Sequence, residues 1–501
     1  MKKMIYYSLT LLLGLMLCSG SCGPETALTE PEPDPEPEPY VPDPYIPVEP
    51  GGGGNVGPRA NTHDDPANGI YVSPSGNDAT ADGTMGKPYK SINTALNNAS
   101  PGATIILRSG LYREGAATEV RVRQPNITIK SAKGEWAHID LPFPSDMKDE
   151  DDGNSAIHFD PEASGCKLLS VEVTGGFYAV CMETKWGWGG DDDEVAASNI
   201  LIEDCILHDS RFDVVKVKPN CNNVTIRYNE IYHSGRAFLG DANLDEGECN
   251  AEGIDNVKGD KMHAHNNYIH DIVGNGIYAK GGAIDVIMEN NLIEHIYGAG
   301  IMVGFDTSPD WFDLSVNPKY YENIQGIVRN NLIMNTGWEG IGLYASLDAQ
   351  VYNNTLVNAV SYGRGLYHSP IYFGVATQDW DNPTGCPPNI NPNIHHNIVS
   401  QPASYPNQMI EIRYATGIYS FALSALSGNP TMNNNCYFIS GKSATFTDRR
   451  PPEAENMGLA AWKTRVSGES GTIEVDPALN ADFMPTNPQC TGMGISAALT
   501  K

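Results

Sequence analysis

Four lysines recur at equivalent places in consecutive segments of the sequence. The segments CMETK, VVKVK, IDNVK and GIYAK align so that their last residues are Lys185, Lys218, Lys258 and Lys280. If each segment is a short strand, alternation turns Val257 and its equivalents inward and the lysines outward, about 4.8 Å apart between strands. Stacked like charges repel unless an anion lies between them, and crowding lowers the pKa of an amine. We expect this lysine file to neutralise a carboxylate and to supply a base, with Lys218, Lys258 and Lys280 as catalytic candidates.

Acidic residues flank the lysine file. The candidate metal ligands are Asp213, Glu252, Asp255 and Asp260. Several carboxylates around one point are typical ligands of Ca²⁺, which is therefore a candidate cofactor.

A second column of polar side chains follows the same segments. It contains His208, Asp209, Tyr232, His233, His270, Asp271, Glu294 and His295. Because histidine titrates near neutrality, His233 is a further catalytic candidate, as is His295; hydrogen bonds within turns are the structural alternative for this column.

The elements that must position these residues are indicated by a repeat. The aligned positions are Asn229, Asn267, Asn291, Asn331, Asn354 and Asn397, with spacings of 38, 24, 40, 23 and 43 residues. One coil is therefore 23 or 24 residues, and the longer spacings contain inserted loops. Short β-branched runs interrupted by Asn and Gly predict stacked parallel strands whose asparagines bond along the stack. The predicted fold is all-β, a right-handed parallel β-helix with an N-terminal helical cap and with inserts at 236–252, 304–323 and 361–393 that shape a groove.

Composition limits the partners. The 501 residues include 61 acidic and 32 basic residues, giving a formal charge of −29, which argues against nucleic acid. The chain contains 10 cysteines without metal-ligand spacing. Cys249 and Cys386 are a candidate pair, whereas the sequence predicts buried positions for a second group: Cys166, Cys181, Cys205 and Cys221. We expect a monomer.

The N-terminal segment is typical of an exported protein. Two lysines precede an apolar run that ends in small residues before Cys22, which predicts a lipoprotein signal peptide over 1–22. Residues 23–60 alternate Pro with acidic residues and then become Gly-rich, which predicts an extended stalk. Residues 61–501 form the predicted β-helix domain, attached to the outer membrane or cell surface through a lipid on Cys22.

One segment carries a family resemblance. Residues 69–114 contain Tyr71–Asp78, Lys87, Pro88, Ile92, Ala95, Pro101, Gly102 and Gly110–Arg113. In these residues the segment resembles the N-terminal cap of pectate-lyase-like β-helix proteins, including family 9 polysaccharide lyases. The tail DPALNADF is similar to their closing segment. The resemblance implies a right-handed parallel β-helix, and family 9 lyases combine Ca²⁺ with a lysine base. Asp213 and Asp255 are the nearest counterparts of their calcium-binding run.

These features together give an expected function. A lyase of uronic-acid polymers such as pectin, alginate or a glycosaminoglycan needs a cation on the carboxylate and a base for the neighbouring proton. A cell-surface polysaccharide lyase acting by β-elimination is therefore expected. Two alternatives stay open: a β-helical glycoside hydrolase that uses Asp213 and Asp255 as its acid pair, and a non-catalytic glycan-binding protein.

Overall fold

The computed structural model describes residues 54–115, 118–142, 154–186, 195–235, 250–361, 368–376, 386–406, 408–417 and 421–501. The predicted signal peptide and the stalk up to residue 53 lie outside the described residues, as does Cys249. All described residues belong to one compact unit that extends from residue 46 to residue 501.

Three long sheets run side by side along the described chain, and each receives one strand from each coil. Sheet 1 contains Ile70–Val72, Thr104–Leu107, Thr128–Ser131, Lys167–Leu169, Leu201–Glu203, Thr225–Arg227, His263–His265, Ile287–Glu289, Ile327–Arg329, Gln350–Tyr352, Asn393–His395 and Thr431–Asn433. Sheet 2 contains Gly110–Tyr112, Ala137–Leu141, Val171–Gly175, Ile206–His208, Glu230–Tyr232, Tyr268–Ile272, Leu292–Ile296, Leu332–Thr336, Thr355–Val357, Ile398–Gln401 and Cys436–Ile439. Sheet 3 contains Val120–Val122, Ile157–Phe159, Val180–Met182, Val215–Val217, Ile254–Val257, Ile277–Lys280, Ile301–Val303, Ile341–Tyr344, Ile371–Gly374, Gln408–Ile412, Thr445–Asp448 and Ala454–Met457.

Shorter strands complete the coils. A fourth sheet at the turn after sheet 3 contains Ala283–Ile284, Asn323–Ile324, Ser346–Leu347, Asn389–Ile390 and Leu426–Ser427. Strand pairing is parallel throughout sheets 1 to 4 except where Ala454–Met457 joins Thr445–Asp448. A separate antiparallel pair joins Tyr414–Ala415 to Leu423–Ser424. The predicted right-handed parallel β-helix is confirmed.

Alternation along each strand places one apolar residue per rung in a continuous core. In sheet 3 the inward series includes Val180, Val215, Ile254, Ile277 and Ile301, all fully buried. The residues between them face outward, so polar groups on neighbouring rungs come within contact distance.

The predicted asparagine stack is present at the turn between sheets 1 and 2. Asn291 illustrates the pattern: its Nδ2 donates to Asn331 Oδ1 at 3.0 Å, and its Oδ1 accepts from Asn267 N at 3.1 Å. The stack continues one coil beyond the predicted series, to Asn435. The residue before each stacked asparagine has a positive φ, as at Asn290 with φ 55°, a conformation that Asn tolerates.

Both ends of the core are covered by helices. The N-terminal helix Ile92–Asn98 starts at Ser91, whose hydroxyl accepts from Thr94 N, and it buries Ile92 against the first rungs. The C-terminal helix Leu459–Val466 buries Trp462. Two short 3₁₀ helices, Pro309–Trp311 and Pro488–Cys490, lie in connections. No helix among the described residues is long and apolar enough to cross a membrane.

The described end of the predicted stalk contacts the solenoid. Asn55 N donates to Thr500 O, and Val56 is buried with Leu292 and Leu332 on sheet 2. Further along, Arg59 makes an ion pair with Asp204 at 2.8 Å. Residues 54–60 therefore lie against the coils.

The cysteines predicted to be core positions are buried. Cys166, Cys181, Cys205 and Cys221 are at most 1% exposed. Cys386 is also buried, and its Sγ lies 3.7 Å from Glu322 Oε1.

Candidate functional site

The strand register of sheet 3 corrects the lysine file. Val217 pairs with Asn256, and Val257 pairs with Lys280, so Lys218 and Lys280 occupy equivalent positions two rungs apart. Lys258 lies one residue beyond that position, in a turn with φ 58°. The prediction that these lysines share one column is therefore wrong for Lys258.

Asn256 is the cause of this offset. Its side chain points inward and closes the turn, because Nδ2 donates to Gly259 O at 2.8 Å and Oδ1 accepts from Gly259 N at 2.8 Å. Sequence alternation instead placed the apolar Val257 inward. Lys185 is also outside the column: it lies beyond the strand Val180–Met182 and its Nζ pairs with Glu162 at 2.6 Å.

The three candidate lysines nevertheless lie on neighbouring coils of one face. Lys258 N donates to Lys280 O at 2.9 Å, so these two residues are adjacent along the solenoid axis. Lys258 Nζ contacts Asn220 Oδ1 and lies 4.7 Å from the Trp186 ring centre. Lys280 Nζ lies 4.4 Å from the Tyr278 ring centre and 3.4 Å from Asp306 O.

Lys218 is the third of these lysines. Its Nζ makes a salt bridge with Glu183 Oε2 at 2.8 Å. Lys218 is therefore held by an acid on the preceding coil.

Three of the four predicted metal ligands meet in the floor of this face. Asp213, Glu252 and Asp255 are at most 2% exposed, and each has an oxygen within 4.8 Å of the other two. Lys216 lies among them, with its Nζ in contact with Asp255 Oδ2 and 3.1 Å from Asp213 Oδ2. We call Asp213, Lys216, Glu252 and Asp255 the Lys216 cluster.

Asp260 is not part of the Lys216 cluster. Its Oδ1 accepts from Ile284 N at 2.9 Å and its own N–H donates to Asn222 Oδ1. It therefore stabilises the turn after sheet 3.

Proton placement in the Lys216 cluster follows from burial and charge. Burial lowers the pKa of Lys216, but the charges of Asp213 and Asp255 outweigh it and raise that pKa well above its usual value. Burial, the charge of Asp213 and a hydrogen bond shared with Asp213 raise the pKa of Glu252 well above its ordinary range. Lys216 is therefore an ammonium, and Glu252 holds a proton toward Asp213. Asn275 Nδ2 donates to Glu252 Oε1 at 3.1 Å and fixes the acid.

This arrangement does not fit Ca²⁺. The ion requires six to eight oxygen ligands at about 2.3–2.6 Å. The predicted set supplies three convergent carboxylates, and Lys216 already binds two of them. A calcium ion at their meeting point would be in direct contact with an ammonium of the same sign.

The insert 304–323 forms a wall beside the lysines, as predicted. Its Asp306 carbonyl accepts from Lys280, and its Asp310 carbonyl lies 3.5 Å from the Trp186 indole nitrogen. Trp186 thus bridges from the coil of Lys185 to this insert, over Lys258. The insert 236–252 lies largely outside the described residues. The prediction for 361–393 is wrong in its bounds, because Ile371–Gly374 is a strand of sheet 3 and Asn389–Ile390 is a strand of sheet 4; residues 362–367 and 377–385 lie outside the described residues.

His233 lies away from the lysines. It follows sheet 2, has φ 52°, and its Nδ1 is 3.6 Å from Asp209 Oδ1. The predicted second column is present as a stack of rings on sheet 2, with ring centres of His208 and Tyr232 4.4 Å apart and those of Tyr232 and His270 4.8 Å apart.

Turn contacts account for the histidines in that stack. His208 Nδ1 is 2.6 Å from Asp209 Oδ2, and His270 Nδ1 is 2.7 Å from Asp271 Oδ2. The hydrogen-bonding alternative therefore describes His208 and His270. His295 lies near the end of the strand Leu292–Ile296, where the chain turns toward sheet 3, and it also has a positive φ of 54°.

Lys216 is the central residue that the sequence did not single out as a site residue. Its signal was the segment DVVKVK, in which Asp213 precedes Lys216 by three residues and an outward lysine follows an inward valine. The pairing of Lys216 with Asp255 depends on the register of a strand 39 residues later, which the offset at Asn256 hid.

Comparison with known proteins places the fold but no particular activity. Residues 150–373 match the family model described as "Right handed beta helix region", which agrees with the three sheets. Pectate lyase Pel9A is 15% identical with a TM-score of 0.44, covering 68% of this chain and 77% of that one. The A-module of the Azotobacter vinelandii mannuronan C-5 epimerase AlgE6 is 14% identical with a TM-score of 0.48, covering 77% and 94%. The GH136 lacto-N-biosidase of Eubacterium ramulus is 11% identical with a TM-score of 0.47, covering 81% and 68%. No curated protein matches the sequence.

Proposed function

We propose that this protein is a polysaccharide lyase that cleaves a uronic-acid-containing glycan by β-elimination. The observation that supports it is the adjacency of Lys258 and Lys280 on one outward face, beside the wall formed by residues 304–323. Backbones of adjacent coils lie about 4.8 Å apart, so side chains on neighbouring coils can approach one sugar from two sides.

Lys280 is the cation for the substrate carboxylate. It acts electrostatically on the buried carboxyl groups of Glu252, Asp255 and Glu322, in each of which its charge favours the ionised form. A substrate carboxylate above this position meets the same positive charge. Neutralising that carboxylate makes the proton on C5 of the sugar more acidic.

Lys258 is the base. Its side chain is largely buried, and its Nζ lies 4.7 Å from the Trp186 ring centre, one coil from Lys280. To act as the base it must be neutral when it meets the substrate. As the base takes the C5 proton, the electron pair forms a double bond between C4 and C5. The C4–O bond breaks and the departing sugar oxygen takes a proton from water, which leaves an unsaturated uronic acid at the new chain end.

The hydrolase alternative needs two carboxyl groups that flank a glycosidic bond, separated by about 5–9.5 Å with substrate between them. Asp213 and Asp255 are instead fully buried and both bound to Lys216. The geometry therefore favours elimination over hydrolysis.

The test is a panel of uronic-acid polysaccharides with ultraviolet absorbance of the unsaturated product as readout. We expect Lys258→Ala to abolish turnover and Lys258→Arg to stay inactive, since arginine remains protonated. Lys280→Ala should raise KM and lower kcat, whereas Lys280→Arg should retain part of the activity because it preserves the charge. Lys167→Ala, an exposed lysine on sheet 1, is the matched control.

Three outcomes would change the assignment. Full activity of the Lys258 and Lys280 variants together with an inactive His233→Ala variant would move catalysis to the histidine column. Reducing-end release without unsaturated product would indicate a hydrolase. Glycan binding without turnover on any polymer would indicate a non-catalytic binding protein.

A further inference from the structure

The Lys216 cluster holds an ammonium group where its carboxylates converge. Lys216 Nζ contacts Asp255 and lies 3.1 Å from Asp213, and the Lys216 side chain is only 12% exposed. Unpaired charges are strongly unfavourable in a protein interior, so buried carboxylates at this separation require a cation among them. Here the chain itself supplies that cation.

The strand register fixes the amine in this position. Lys216 and Asp255 are paired residues on neighbouring strands of sheet 3, and both face outward. Glu252 N donates to Asp213 Oδ1 at 2.9 Å, which ties the two flanking acids together through the backbone. Lys216 also lies 5.5 Å from the Tyr178 ring centre, so an aromatic face covers the amine on the preceding coil.

One oxygen atom of the cluster, Asp255 Oδ1, is buried without a hydrogen-bond partner. It is the second oxygen of an acid that already contacts Lys216, so the cluster retains acceptor capacity that an added cation would use. Lys216 prevents such a cation from reaching the shared centre.

We propose that Lys216 is a built-in counter-ion that takes the place of a bound divalent cation, so that this site works without metal. Neutralisation of the buried carboxylates at the floor of the groove is then permanent and does not depend on the concentration of Ca²⁺. The inference uses the proposed function only for the role of the groove; the ion pairs themselves stand without it.

The experiment measures thermal stability of the full-length protein after EDTA treatment, with and without added CaCl₂. The wild-type melting temperature should not change with CaCl₂. Lys216→Met removes the ammonium, so this variant should be markedly less stable than the wild type when no metal is present. CaCl₂ should raise its melting temperature by several degrees, because the three carboxylates then bind the ion. Isothermal calorimetry should detect Ca²⁺ binding by this variant at one site.

Two further variants separate this effect from Ca²⁺ bound elsewhere. Lys216→Met with Asp255→Asn removes one charge of each sign, so it should recover stability and lose the response to CaCl₂. Asp255→Asn alone keeps the amine and should show no response. The proposal is overturned if the wild type gains stability with CaCl₂ and Asp255→Asn does not.

The readouts also hold if Lys216→Met fails to fold. The wild type and Asp255→Asn then decide, since a metal-free site predicts no CaCl₂ response in either. Because melting and calorimetry need no turnover, absence of lyase activity would end the proposed function without touching this inference. Conversely, a calcium-dependent wild type would overturn the inference and leave a lyase possible.

Discussion

Glu322 is a fully buried carboxyl group behind the lysine site. It accepts hydrogen bonds from Gly281 N at 2.9 Å and from the Thr307 hydroxyl at 2.7 Å. These bonds fix the insert 304–323 to the coil that carries Lys280. Burial nevertheless raises the pKa of Glu322 to about 7. Ionisation of this one carboxyl group should therefore make the attachment of the groove wall dependent on pH.

The pH dependence of stability should show this group. The folded-state pKa of Glu322 lies above its ordinary value of 4.5, so between pH 4.5 and pH 7 the folded state retains a proton that the unfolded state loses. Stability from this group is complete below pH 4.5 and falls as pH rises through 7, by about 3 kcal/mol. The free energy of unfolding of Glu322→Gln, measured in urea, should not show that fall. Relative to the wild type, the variant should therefore become more stable as the pH rises from 4.5 to 8.

An exposed glutamate provides the control for this measurement. Glu455→Gln removes an exposed carboxyl group that pairs with Arg449 at 3.1 Å and leaves Glu322 in place, so the fall between pH 4.5 and pH 7 should remain in this variant. If Glu322→Gln and the wild type lose stability in parallel from pH 4.5 to pH 8, the buried carboxyl group is not the source.

Among the structural elements, the asparagine stack keeps coils of unequal length in register. Each inner asparagine bonds to the next one and to a backbone carbonyl, as Asn291 Nδ2 does to Ala264 O at 3.0 Å. The inserts leave the solenoid elsewhere in the coil, so the stack is unbroken whether the spacing is 23 or 43 residues. The alignment of the coils at this turn also determines which polar side chains meet on sheet 3.

Breaking one member of the stack should be costly. Asn291→Ala leaves Asn267 N–H groups and the Ala264 carbonyl buried without partners, and we expect a loss of about 2–4 kcal/mol in the free energy of unfolding. Asn290→Gly is the matched control, because glycine adopts the positive φ of this position without strain. Equal destabilisation by both changes would show that the turn geometry and not the stack determines stability.

The predictability of each element follows from how local its cause is. The coil repeat was predictable because the asparagines from Asn229 to Asn397 mark one turn per coil, at a spacing of 23 or 24 residues that is longer only where a loop is inserted. The register of the lysines was not predictable. The Asn256 side chain forms hydrogen bonds with the backbone of its own turn and therefore lies inward, at the position that a hydrophobic pattern assigns to Val257. Lys216 and Asp255 meet only in the correct register, which depends on contacts between coils.

At the scale of the whole molecule, each coil contacts mainly the coils beside it. Stability of such a solenoid is close to a sum of coil and interface contributions, and the ends require caps. The C-terminal cap places Trp462 on Phe446 of the last sheet 3 rungs, with ring centres 5.3 Å apart. The lysine site lies in the middle coils, between Val180–Met182 and Ile301–Val303, away from both caps.

Loss of a cap should therefore open the molecule from one end. Trp462→Ala removes a side chain with no exposed surface and should cost about 3–5 kcal/mol. Native-state hydrogen exchange should show lost protection in Thr431–Asn433, Cys436–Ile439 and Thr445–Asp448, with the strands around Lys216 unchanged. Ile92→Ala at the other cap should reverse the gradient and expose Thr104–Leu107 and Thr128–Ser131 first. A uniform loss along all coils in either variant would mean that the solenoid unfolds as one cooperative unit, in which case a change at a cap would reach the lysine site as strongly as the end coils.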